Sequence, residues 1–273
     1  MTVPLLTSPV IPPPFHHGFT TRAGGVSGPP FSSLNVGFKW GDDPACVHEN
    51  RRRIHEASGA ARLFVAHQVH GRDVAMVTSE STPEAIAQTH ADALVVWQSG
   101  SSVAVMVADC VPVLLADPAT GACAAVHAGW RGTAADVAGA AVQAMARITG
   151  SSPAQFRAAI GPSIGPCCFE VGNDVVKALR TRVPGLATWL AEDDEWRSEA
   201  AARSSHPFEP AVRPRAQVNL WKANEALLLA AGLVIENVDT LGLCTHCNPE
   251  RFFSYRREGA ATGQLMGFIG VND

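Results

Sequence analysis

His70, Cys110 and His127 occupy three short motifs, HQVHG (67–71), ADC (108–110) and AVHAGWRGT (125–133), each at the end of an apolar, β-branched run. Two imidazoles and one thiolate form a natural three-ligand set for Zn²⁺. Three protein ligands leave the fourth tetrahedral position open for water or substrate, which is the pattern of catalytic rather than structural zinc. Other readings of these residues stay open. A histidine at a strand end is often a structural hydrogen-bonding group, and Cys110 with His127 and Asp109 also spells a Cys–His–Asp nucleophile system. A cysteine committed to zinc would be quenched as a nucleophile.

Of the two histidines in HQVHG, His70 adjoins Gly71 at a turn and is the expected ligand, with His67 as a nearby contact or proton carrier. Asp109 precedes Cys110 and faces the opposite way along a strand unless the backbone bends, for which Pro112 is a candidate. It then serves as a supporting carboxylate or proton acceptor, or as a structural cap. After His127 the chain turns through glycine, and a helix opening at Thr133 would present free N–H groups beside Arg131, an anion site. The bland alternative is an ordinary turn in which Arg131 makes a structural salt bridge. Arg22 and Asn35 in an early loop, and Arg256 and Arg257 in FFSYRREG (252–259), are further candidates for an anionic pocket.

The elements that must position these groups are readable from period and punctuation. Short β-branched or alanine-rich runs predict strands at 63–66, 93–97, 103–107, 113–116, 122–127 and 156–160. Three- and four-residue spacing of Val137, Ala141, Met145 and Ile148 predicts a helix over 133–148, closed by Gly150. Further helices are expected at 174–182 and 218–231, and one beginning near Asp43 that carries Arg51–Arg53 on its solvated face. Residues 191–216 are polar, lack a period and read as a surface excursion. No repeat or linker divides the chain, so residues 1–273 are expected to form one multilayered α/β domain.

CTHC (244–247) resembles half of a zinc knuckle or a redox pair, and CC (167–168) is the only available second half. Adjacent cysteines on an extended chain point apart, so buried thiols around a loop core are the expectation. GPSIGPC (161–167) is not a dinucleotide fingerprint, because prolines replace the helix-opening residues.

Composition narrows the function class. The chain has 273 residues, 47% hydrophobic and 17% charged, enough for a large core. Its net charge of −4 argues against a nucleic-acid groove. Seven cysteines, a proline-dense start with no basic n-region, and no long uncharged apolar run read as a cytoplasmic protein with reduced thiols and no membrane span.

Taken in order, TTRAGGVSGPPFSSLNVG (20–37), HQVHG, ADCVPVLLAD (108–117), AVHAGWRGT, IGPSIGPCCFEVG (160–172) and CTHCNPERFFSYRREGAATG (244–263) resemble the bacterial laccase-domain or polyphenol-oxidase-like family. That family includes the bacterial purine nucleoside phosphorylase homologues and the peptidoglycan editing factor. The resemblance implies a four-layer α/β/β/α fold and zinc at His70, Cys110 and His127. It also implies purine nucleoside and phosphate as substrates: phosphorolysis of adenosine, inosine and methylthioadenosine, with adenosine deamination as a side activity. An editing hydrolase or amidase acting on peptidoglycan precursors is the alternative. One departure is Gln264, where family members commonly carry Arg. Cu²⁺ also suits a Cys/His₂ set by softness, but ten histidines without a single His-x-His pair do not suit a multicopper cluster.

Overall fold

The computed structural model describes residues 3–183 and 216–271. In chain order the strands are β1 (Leu5–Leu6), β2 (Phe15–Thr20), β3 (Arg62–Val65), β4 (Val74–Val77), β5 (Ala93–Val96), β6 (Ser101–Val107), β7 (Val111–Ala116), β8 (Cys123–Ala128), β9 (Arg157–Ile160), β10 (Glu170–Val171), β11 (Ala216–Gln217), β12 (Val238–Thr240) and β13 (Leu265–Val271). The helices are α1 (Pro44–Ser58), α2 (Pro83–Ala87), α3 (Trp130–Ala134), α4 (Val137–Thr149), α5 (Asn173–Arg180), α6 (Leu220–Ala230) and α7 (Tyr255–Glu258). The polar stretch 191–216 lies outside the described residues except for Ala216, which is in β11.

Two mixed sheets carry the fold. One runs β1-β2-β13-β6-β3 and the other β12-β9-β7-β8-β5-β4. Side chains alternate along each strand, so every central strand serves two cores at once. Leu114 and Ala116 of β7 face the first sheet, packing with Phe19, Phe64, Val103 and Ile269. Val111, Val113 and Leu115 face the opposite way, onto Val137, Ala141, Val142 and Met145 of α4 and Leu227 and Leu228 of α6. The outer face of the first sheet, through Ala104, Met266 and Phe268, is covered by Ile54 of α1 and by Leu34 and Val36. The result is the four-layer α/β/β/α arrangement implied by the family resemblance. Burial on both faces explains why these strands read as continuous apolar runs rather than alternating ones.

Each of the six predicted strands is found, with ends shifted by up to two residues. The helix predicted over 133–148 is instead two helices. The first opens earlier, at Trp130, and the chain then breaks at Asp136, whose φ of 64° is left-handed. Asp136 accepts a hydrogen bond from Gly139 N and caps α4, a role suited to a short carboxylate that tolerates this conformation. The apolar period was real, but capping chemistry divides it. The arginine triplet is also not uniformly solvated. Arg52 is exposed and pairs with Glu49 and Glu56. Arg51 lies over the Phe38 ring and donates to Val36 O, and Arg53 reaches Gly24 O.

Candidate metal centre and cleft

His70 lies on the turn after β3, Cys110 in the connection between β6 and β7, and His127 near the end of β8. The antiparallel register of β7 on β8 pairs Val111 with Ala128 and Pro112 with His127. Cys110, one residue before β7, is thereby delivered beside His127. The candidate ligand atoms of His70, Cys110 and His127 all lie within 4.8 Å of one another, with Cys110 Sγ 3.8 Å from His70 Nε2. Ligands bound to zinc at about 2.0–2.3 Å in tetrahedral geometry stand roughly 3.3–3.8 Å apart, so the set needs only a small closure to fit the ion. Gly129 makes room for it: a Cβ there would stand 2.9 Å from Cys110 Sγ and 3.1 Å from His70 Cδ2.

Asp92, which the sequence reading did not single out, organises the trio. It sits immediately before β5, fully buried. His127 Nδ1–H donates to its Oδ1 at 2.8 Å, which leaves Nε2 as the nitrogen that a metal would take in place of its proton. The same carboxylate accepts the backbone N–H groups of Val69, His70 and Gly71 at 3.2, 2.9 and 2.6 Å. His70 has a left-handed φ of 61°, a conformation that these bonds hold in place. One carboxylate thus fixes the tautomer of one ligand and the backbone of another, the usual task of a group behind a metal-bound histidine. The only signal in the sequence was an acidic residue directly ahead of an apolar strand.

Burial raises the thiol pKa of Cys110, but the charge of His127 and hydrogen bonds from His127 and His70 outweigh it and bring it down to about 6. Burial lowers that of His127, but the Cys110 charge and the Asp92 bond carry it up to about 9. The cluster therefore favours a thiolate beside an imidazolium: the thiolate is the form that binds metal, and the imidazolium would give up its Nε2 proton to the incoming ion.

The backbone bend expected near Cys110 falls at Asp109 itself, at φ 87°; Pro112 sits inside β7. The bend turns the Asp109 carboxylate toward the last part of the chain. There Oδ1 accepts from Thr245 Oγ1 at 2.5 Å, and Oδ2 accepts from Ser254 Oγ at 3.0 Å and Arg256 N at 2.6 Å. Burial nevertheless pushes its pKa up.

A cleft of about 490 Å³ opens in front of His70 and Cys110. Trp130, Phe169 and Tyr255 supply aromatic surface, Asp109 lies on its lining, and Arg131 and Arg256 supply positive charge. Arg131 lies over the Trp130 ring at 4.3 Å, and Arg256 donates to the carbonyls of Cys168 and Glu170. The aromatic residues were not anticipated from the sequence, because nothing in their spacing relates them.

Three other expected site residues stand away from this lining. Arg22 pairs with Glu258, donates to Ser32 O and Pro249 O, and covers the Phe253 ring. Asn35 is buried, donating to Gly37 O and Asp42 and accepting from Gln264 N. Both tie loops together. His67 is exposed, its ring 4.8 Å from that of His90. Gln264 packs at Gly37 in the same loop junction, outside the cleft lining. Among the described residues no side chain caps the amino end of α3, whereas that of α4 is capped by Asp136.

Fold and site together define a class: an α/β/β/α scaffold whose two sheets carry a His₂Cys cluster at the head of an aromatic, arginine-edged cleft. The chain belongs to the family described as multi-copper polyphenol oxidoreductase laccase, whose model matches residues 16–272. It is 36% identical over 260 residues to purine nucleoside phosphorylase YlmD of Geobacillus stearothermophilus, covering 93% of this chain and 89% of the relative. A purine nucleoside phosphorylase of Deinococcus radiodurans is 37% identical over 272 residues, covering 98% and 93%. The crystal structure of YlmD from Geobacillus stearothermophilus superposes with a TM-score of 0.82 at 34% identity, covering 97% of this chain and 94% of that one. Neisseria meningitidis protein NMB0706 gives 0.80 at 31% identity over the whole of both chains.

Proposed function

We propose that the chain is a zinc-dependent purine nucleoside phosphorylase acting on adenosine, inosine and methylthioadenosine, with adenosine deamination as a side activity, built as one domain over 1–273 and working in the cytoplasm. One observation carries this reading: a single cleft brings His70 and Cys110 of the candidate ligand trio together with aromatic walls suited to a purine and two guanidinium groups suited to phosphate. The names of the relatives support the purine nucleoside phosphorylase part of it.

His70, Cys110 and His127 would hold the ion, which supplies Lewis acidity at the head of the cleft. Trp130, Phe169 and Tyr255 stack on or flank the base and hold it against solvent. Arg131 and Arg256 hold phosphate against the anomeric carbon of the ribose, so that a phosphate oxygen forms the new bond to C1′ as the bond from C1′ to purine N9 breaks. Positive charge developing on the sugar is countered by that phosphate. Asp109 lines the cleft and would move a proton as the base leaves; His67 stands outside that lining. Copper oxidation in the sense of the family description needs a cluster of many histidines, and this centre has two.

The test is chromatography of adenosine incubated with zinc-loaded protein, with and without phosphate. Adenine and ribose 1-phosphate formed only with phosphate are the expected products. Inosine alone, independent of phosphate, would make the protein a deaminase. No change in either tube, with release of an amino acid from a muropeptide, would replace the proposal with the editing hydrolase.

A further inference from the structure

The loops 163–169 and 244–247 meet behind the cleft wall, and their four thiols converge. Cys247 Sγ lies 3.5 Å from Cys167 Sγ and 3.3 Å from Cys168 Sγ, and the four sulfurs of Cys167, Cys168, Cys244 and Cys247 all lie within 4.8 Å of one another. The divergence expected of adjacent cysteines does not occur, because they do not lie on an extended strand. Cys168 N and Phe169 N both donate to Gly165 O at 3.0 Å, a helix-like turn in which successive side chains differ by about 100° rather than 180°. Only Cys244 is buried; the other three are half-buried.

We propose that these four cysteines form a second zinc site, closed and structural, which fixes one wall of the cleft. Four sulfurs around a tetrahedral zinc at about 2.3 Å stand roughly 3.8 Å apart; separations of 3.3 and 3.5 Å, with all four sulfurs within 4.8 Å of one another, suit that value. A disulfide needs about 2.05 Å, and all four cysteines are free. The surroundings suit a cluster whose net charge would be negative. Gly165 N–H donates to Cys244 Sγ at 3.2 Å. The Arg257 guanidinium donates to the carbonyls of Thr245 and His246 at 2.7 and 2.8 Å, and that of Arg256 to Cys168 O at 3.2 Å. Two cations therefore lie against the backbones of the two ligand loops.

With four sulfur ligands the site has no open position, so its role is to pin. Ile164 and Phe169 on one loop line the cleft, and Thr245 on the other donates to Asp109. The loops are otherwise joined by a bridge between Ser163 and Cys244 and by the Thr245 N–H on Ser163 O at 3.0 Å. The inference stands independently of the reaction assigned to the cleft.

The experiment is metal analysis of the full chain purified with zinc under reducing conditions, with zinc K-edge X-ray absorption. Wild type should hold about two zinc ions per chain. His127→Ala, which disables the first centre, should retain about one, surrounded by sulfur alone. Cys247→Ser should lose that ion and keep the one with mixed nitrogen and sulfur ligation. Absence of a sulfur-only zinc from the wild type, no zinc in His127→Ala, or a Cys168–Cys247 disulfide in the reduced, zinc-supplied protein would overturn the proposal.

Discussion

Asp92 and His127 are joined twice. The His127 backbone N–H donates to Asp92 O at 2.7 Å while its Nδ1–H donates to Asp92 Oδ1 at 2.8 Å. The β5–β8 pairing that begins at Ala93 and Val126 thus continues into the candidate metal centre, and strand register sets the orientation of the imidazole. Asp92→Asn keeps the shape but cannot accept both the imidazole and three backbone N–H groups as a carboxylate does. Zinc affinity should fall about 10–100-fold, measured by competition with a chromophoric chelator, with the fold retained by circular dichroism.

Gly129→Ala isolates the space around the ligands. Its φ of −66° and ψ of 169° are open to alanine, so the backbone should not object. The added Cβ would fall against Cys110 Sγ and His70 Cδ2, inside the volume that the ligands must close around. The variant should keep a melting temperature within a few degrees of metal-free wild type and lose the zinc held by His70, Cys110 and His127. Full zinc content in Gly129→Ala would show that the three ligands do not converge there.

Arg131 and Arg256 differ in how firmly they are held. Arg256 is tied to two carbonyls, whereas Arg131 rests on the Trp130 ring. If both bind phosphate, alanine at either should raise KM for phosphate about tenfold, roughly 1.4 kcal/mol, with a smaller effect on KM for nucleoside. Steady-state kinetics with phosphate varied at saturating inosine decides this. A change confined to the nucleoside term would assign the arginines to the base or sugar.

Glu258 provides a pH-dependent brace near the cleft. Burial raises its pKa, but the Thr262 hydroxyl and the Arg257 hydrogen bond and charge outweigh this and hold it below the usual carboxylate range. A depressed folded-state pKa contributes stability that is present above the unfolded value of about 4.3 and lost as pH falls through the folded one. Glu258→Gln should therefore melt lower than wild type at pH 7, and the gap should narrow as the pH drops below about 4. A gap that stays constant to acid pH would remove the charge from the explanation.

The sequence by itself determined the strands of the double-sheet core, because residues buried on both faces must be apolar along the whole run. It also marked the candidate ligands, because His and Cys at strand ends are few and chemically distinct. The helix 133–148 and the position of Asp92 show where that reading stopped. Asp136 can be a helical residue or a cap, and only its left-handed backbone chooses. Asp92 and His127 are joined by sheet register, and Trp130, Phe169 and Tyr255 by the folding of three separate segments onto one cleft. The same holds for the four cysteines, whose adjacency at 167–168 suggested divergence until a helix-like turn aimed both sulfurs at Cys247. Local chemistry is written residue by residue, whereas convergence depends on long-range pairing and on turn conformations that several sequences share. Only the tertiary structure decided those.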